Sequence, residues 1–132
     1  MTTGDDSLLS ELRDQLRFVP RDPVDFDRDD PETTAVKVRV LTAAATSFNI
    51  LAVARFGGRS VPARQEGLVE QVVAATFQTF AGEEAHPSPF DKAAMLLRGI
   101  TQGHPFVDGN KRTGFVTALS YLDLMGYELN PE

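Results

Sequence analysis

From Leu68 to Met125, apolar residues recur at helical spacing in three blocks, and this recurrence constrains the fold more than any other feature of the 132-residue chain. Leu68, Val69, Val72, Val73, Ala75, Thr76 and Phe80 mark the first block. Phe90, Ala93, Ala94, Leu96, Leu97 and Ile100 mark the second, and Phe115, Ala118, Leu119, Leu122 and Met125 the third. His86-Pro87-Ser88-Pro89 breaks the chain between the first two, with Ser88 placed to cap the helix that follows. Gly126 supplies the glycine that closes the last helix. Amphipathic helices bury their apolar stripes against one another, so a mainly helical domain is expected.

Upstream the pattern changes. Val36, Val38 and Val40 alternate with Lys37 and Arg39, which predicts a short strand, and Thr42 then offers an N-cap to a helix over 43–55 that ends at Gly57-Gly58. Leu8, Leu9, Leu12 and Leu16 predict a short amphipathic helix ending near Pro20. The stretch 21–32 carries six acids among its prolines and reads as a connector. Asp25-x-Asp27-x-Asp29 starts like a calcium loop, but the sixth place is Asp30 instead of glycine and the twelfth is Val36 instead of glutamate. A solvated acidic linker is the better reading. The chain thus divides into an N-terminal helix and linker, 1–34, and a helical domain, 35–132, that holds the remaining blocks.

With 42% apolar residues the chain can bury one core. A net charge of -6 and a pI near 4.9 argue against wrapping nucleic acid on a basic surface, because phosphate neutralisation needs clustered Lys and Arg. Cysteine is absent, which removes disulfides and thiolate metal sites. Asp5 and Asp6 stand where a secretory signal carries positive charge, and no apolar run approaches the roughly 20 residues of a membrane span. A cytoplasmic chain with no membrane contact and no direct nucleic-acid partner is expected.

Chemistry concentrates in nine residues, His104-Pro105-Phe106-Val107-Asp108-Gly109-Asn110-Lys111-Arg112. A helix beginning near Lys111 turns the free N–H groups of its first turn toward this loop, an arrangement that binds anions. Lys111 and Arg112 at that end oppose the helix dipole, and a bound phosphate is the natural reason for them. Asp108 offers a hard oxygen to Mg²⁺, an ion commonly held by one or two carboxylates together with substrate phosphates. Histidine is the residue type that exchanges protons near neutral pH, so His104 is placed to take one from an attacking hydroxyl. Phe106 plugs the loop into the core. Each residue alone has a structural explanation, but together they match the parts needed for phosphoryl or nucleotidyl transfer. The spacing is not that of a P-loop, and His86 and His104 are the only histidines, too few for a zinc site.

The same nine residues closely resemble the Fic/Doc superfamily signature His-x-Phe-x-(Asp/Glu)-Gly-Asn-(Gly/Lys)-Arg. Arg55-Phe56-Gly57-Gly58, Glu66-Gly67-Leu68, Lys92-Ala93-Ala94 and the tail 122–127 look like its Doc (death-on-curing) branch, so the likeness covers about 38–130. The resemblance implies a mainly α, single-domain helical bundle with a short strand or β-hairpin flap. It implies an ATP- and Mg²⁺-dependent transferase in which His104 is the general base, Asp108 the metal ligand, and Gly109, Asn110, Lys111 and Arg112 the phosphate cradle. Arg59–Gln65 would be the flap that docks the target. Fic members transfer AMP to protein hydroxyls and usually carry glycine where this chain has Lys111. The Doc branch carries lysine there and phosphorylates elongation factor Tu as a toxin, so Lys111 favours phosphorylation of an elongation factor Tu-like protein, with adenylylation as the alternative. A non-catalytic phosphate-binding module is a further alternative. Ser7 to Glu11 has the spacing of an internal inhibitory motif, but Leu12 follows, so restraint by a separate antitoxin is expected.

Overall fold

A computed structural model describes residues 18–20, 31–58 and 67–129 of the chain. Strand β1 spans Phe18–Pro20, helix α1 Pro31–Phe56 and helix α2 Leu68–Ala75. A hairpin follows, β2 over Thr79–Phe80 and β3 over Glu83–Glu84. Helix α3 covers Pro89–Gly103, helix α4 Asn110–Leu124 and strand β4 Tyr127–Leu129. The architecture is mainly α, as expected.

The central feature is the pair α3 and α4, joined through the nine-residue motif and packed most extensively on each other, with α1 lying against α4 and α2 bridging α1 and α3. Leu96, Leu97, Ala118, Tyr121 and Leu122 meet Val38, Leu41 and Val73 in the larger core, and Ala45, Val69, Ile100 and Phe106 form a second cluster nearer the motif. Gly99 and Gly114 are where side chains would not fit: a Cβ at Gly99 would sit 2.9 Å from Val72, and one at Gly114 3.1 Å from the Leu97 carbonyl. These contacts let α2 and α4 approach α3 closely.

Helix α1 corrects the strand expected over Val36–Val40. The helix starts at Pro31, where a missing N–H costs nothing, and runs unbroken through Thr42, which is therefore no N-cap. Val38, Leu41, Ala45, Asn49 and Val53 are buried at spacings of three and four, and Lys37 is buried beside Val38 with its ammonium 5.7 Å from the centre of the Phe77 ring. Two adjacent buried positions suit a helical face and contradict strand alternation. The β-branched valines cost only tenths of a kcal/mol each in a helix, which this burial outweighs. The apolar stretch Thr33–Phe56 is also long and apolar enough to cross a membrane by composition, contrary to the count made on sequence. Its buried row, including Lys37 and Asn49, packs in the core of this domain.

Helix α2 stops at Ala75, short of the predicted Phe80. The chain turns there into the β2–β3 hairpin, with Thr79 paired to Glu84 and Phe80 to Glu83. Ala81 and Gly82 both have positive φ, the geometry of a tight two-residue turn between twisted strands. Ser88 caps α3 as expected, forming a reciprocal box in which its Oγ accepts from the Asp91 N–H and the Asp91 carboxylate accepts from the Ser88 N–H. Strand β1 pairs antiparallel with β4, Phe18 opposite Leu129, closing the two ends of the described chain. The predicted helix over Leu8–Leu16 and most of the acidic connector lie outside the described residues, as does the Arg59–Gln65 flap.

Candidate active site

The motif loop leaves α3 through a left-handed residue. His104 has φ 48° and ψ 53°, caps α3 and is exposed, so its ring stands at the mouth of the loop. A non-glycine residue in this conformation is uncommon and carries strain of about 1 kcal/mol. The turn it makes sends Pro105 and Phe106 directly into the core, where Phe106 is fully buried. The strain is thus offset by the anchoring of the next two residues, and the plug role expected of Phe106 holds.

Asn110 closes the loop. Its Oδ1 accepts from the Phe106 N–H and its Nδ2 donates to the Phe106 carbonyl, both at 2.9 Å. These two bonds satisfy buried backbone groups that no helix or sheet reaches. The Asn110 side chain is therefore engaged with the loop, and what it offers outward is its backbone N–H. Gly109 precedes it in a left-handed conformation, φ 78°, and its Thr113 partner closes the first turn of α4 through a 3.0 Å backbone bond to the Gly109 carbonyl. The N–H groups of Asn110, Lys111 and Arg112 fall before the first such bond and point out of the helix start.

No acid occupies the first turn of α4, and Lys111 and Arg112 are exposed on it. The Arg112 guanidinium lies 4.0 Å from the centre of the Phe56 ring at the end of α1, and Arg55 approaches the same ring at 5.9 Å. Stacking on an aromatic face holds a guanidinium in place while leaving its edge donors for a ligand. A cavity of about 830 Å³ opens here, lined by Phe48, Leu51, Phe56, Phe115 and Val116 together with Arg55, Lys111 and Arg112. Its walls are apolar with cations at one side, the composition that receives an anionic ligand with an apolar body. His104 and Asp108 are outside this lining.

Asp108 is half-buried between the loop and the end of α1. A Cβ at Gly58 would lie 2.9 Å from Asp108 Cβ and 3.2 Å from its Oδ2, so Gly58, itself at φ 117°, keeps open the space the carboxylate occupies. Among the described residues no three His, Cys, Asp or Glu side chains converge on a point. A cation here would take one protein carboxylate and complete its shell from phosphate oxygens and water, a donor set that suits Mg²⁺.

Sequence reasoning missed Asn49. This α1 residue is 1% exposed, donates through Nδ2 to the Asp108 carbonyl at 2.6 Å and lies 3.3 Å from Thr113 Oγ1. The one available signal was an amide at the i+4 place between Ala45 and Val53 on an otherwise apolar row.

The family model for the Fic/DOC family matches residues 41–122, which holds α1 from its middle, the whole motif and most of α4. The chain belongs to the Fic/DOC family. It is also 37% identical over 90 residues to a protein named Toxin Doc from Mycolicibacterium smegmatis, an alignment covering 68% of this chain and 62% of that protein. The chain thus spans less than two thirds of that relative's length. No solved structure matches the chain. Membership in the Fic/DOC family agrees with the four-helix arrangement around the motif.

Proposed function

We propose that this Fic/DOC chain is a cytoplasmic toxin that phosphorylates a hydroxyl of an elongation factor Tu-like protein with ATP and Mg²⁺, restrained by a separate antitoxin. The observation that carries the reading is the start of α4: unbonded N–H groups, Lys111 and Arg112 gather at one helix end with no acid in the first turn. The likeness to Toxin Doc supports the toxin assignment and, with it, an antitoxin partner.

In this reading His104 accepts the proton of the target hydroxyl as its oxygen forms a bond to the γ-phosphorus. The bond from that phosphorus to the β–γ bridging oxygen breaks, and ADP leaves. Gly109, Asn110, Lys111 and Arg112 hold the phosphates, Asn110 through its backbone, and Asp108 holds the metal. Mg²⁺, when bound, neutralises phosphate charge as the transition state develops. Lys111 favours this chemistry over adenylylation, because a long cationic side chain at that position crowds the α-phosphorus and serves other phosphates instead.

The test incubates the chain and its His104→Ala variant with elongation factor Tu and ATP labelled separately at the α- and γ-phosphates. Label from the γ-position alone is expected, lost by roughly 10²–10⁴-fold in the variant, as removal of a general base costs. Label from the α-position would make the chain an AMP transferase. Nucleotide binding with equal behaviour of both proteins and no label would leave a phosphate-binding module.

A further inference from the structure

We propose that Asn49 is a positioning residue of this site: from within the core it pins the Asp108–Gly109 peptide to α1, and so sets the direction of the Asp108 carboxylate and the shape of the phosphate cradle. The inference rests on the transferase reading for its purpose, but the pinning itself is independent of it.

Three observations converge. Asn49 is buried on the same helical row as Leu41, Ala45 and Val53, where an apolar side chain would be the ordinary occupant. Its Nδ2 links the motif loop to the helix that follows, with the Asp108 carbonyl at 2.6 Å on the loop side and Thr113 Oγ1 at 3.3 Å in the first turn of α4. Its Oδ1 is buried with no hydrogen-bond partner. A buried amide with one end unsatisfied carries a desolvation cost that an apolar side chain of similar size would not, so the bond to the Asp108 carbonyl is what this position supplies. The reverse orientation of the amide would set Oδ1 against the Asp108 carbonyl, acceptor to acceptor, so the donor must face the loop.

The consequences for the site follow from geometry. A Cβ on Gly109 would lie 3.1 Å from Asn49 Nδ2 and 3.4 Å from Val53, which shows how closely this peptide is drawn onto α1. With the carbonyl of Asp108 held inward, its side chain is directed along the opposite side, into the space that Gly58 leaves open. Asn49 touches no reacting atom in this arrangement. It acts through Asp108 and through the backbone of Gly109.

The experiment compares the wild-type chain with Asn49→Leu, which keeps the volume and removes the donor, and Asn49→Gln, which retains an amide one methylene longer. Urea unfolding, hydrogen exchange at the Phe106 and Thr113 amides, and ATP binding with Mg²⁺ or with EDTA are measured. The expected result for Asn49→Leu is a folding constant lowered no more than about tenfold, since the Asp108 carbonyl loses its donor while the unsatisfied amide oxygen is removed, so that the chain stays folded in buffer. Local exchange should be about tenfold faster at those two amides, the fold-change that one lost hydrogen bond gives. ATP affinity should fall about tenfold in Mg²⁺ and much less in EDTA, with partial recovery in Asn49→Gln. Unchanged local exchange, a loss of affinity equal with and without Mg²⁺, or a fall in stability that accounts for the loss would each overturn the proposal. If the wild-type chain binds no ATP, the transferase reading fails, and local exchange alone then upholds or overturns the pinning.

Discussion

At the N-terminal end of α3 a charged side chain is buried to hold a loop, whereas at the C-terminal end neutral amides hold the loop and the charges stay at the surface. Lys92 is only 2% exposed. Its ammonium donates to the His86 carbonyl at 2.6 Å and to the Pro87 carbonyl at 3.4 Å, and pairs with Glu84 at 2.9 Å. This cation is consumed by structure, tying the β2–β3 hairpin to the helix. In the motif loop the corresponding work falls to Asn110 and Asn49, while Lys111 and Arg112 remain exposed. The difference teaches where charge is available for a ligand. A cation already matched by carbonyls and a carboxylate has little left to offer, and one placed against a helix dipole without an acid has most of its interaction still to make.

The contrast can be broken most forcefully at Lys92. Lys92→Met should destabilise the chain by about 3 kcal/mol, since it strips three acceptors of their donor, although Glu84, about a third exposed, can rehydrate. Urea unfolding measures this, and ATP affinity of the folded fraction should not change. A parallel loss of affinity would mean that the two ends of α3 are not separable.

Asn110→Ala is the matching test at the other end. It leaves the buried Phe106 N–H and carbonyl without partners and should cost about 2 kcal/mol. Here ATP affinity should fall as well, because the loop and the cradle are one structure. Stability lost without affinity would separate them.

The smallest effect sharpens a second parallel, between the two non-glycine residues with positive φ among the described residues, Ala81 in the hairpin and His104 in the motif. Ala81→Gly should stabilise the chain by up to about 1 kcal/mol in thermal unfolding and leave the proposed phosphate transfer untouched, because only the turn strain is relieved. His104 is the one of the two whose strained position carries the side chain proposed as general base.

Much of this was legible along the chain. The helices α3 and α4, the Ser88 cap and the Phe106 plug arise from residues close in sequence, and local interactions decide them: helical periodicity, capping, a turn forced by glycine; His104, Asp108, Lys111 and Arg112 are candidate site residues on the same local ground. Three features needed the tertiary structure. Val36–Val40 is helical because its neighbours in space bury Lys37 and Val38 side by side, which no local alternation reveals. The end of α2 at Ala75 depends on a hairpin that Lys92 holds from another helix. Asn49 contacts Asp108 across 59 positions of chain, and a lone amide in an alanine-rich run carries no mark of that partner. The sequence by itself determined which chemical groups the candidate motif offers. Only the packing of α1 against the motif decided how they are held, because a hydrogen bond to a distant carbonyl exists only once the core has formed.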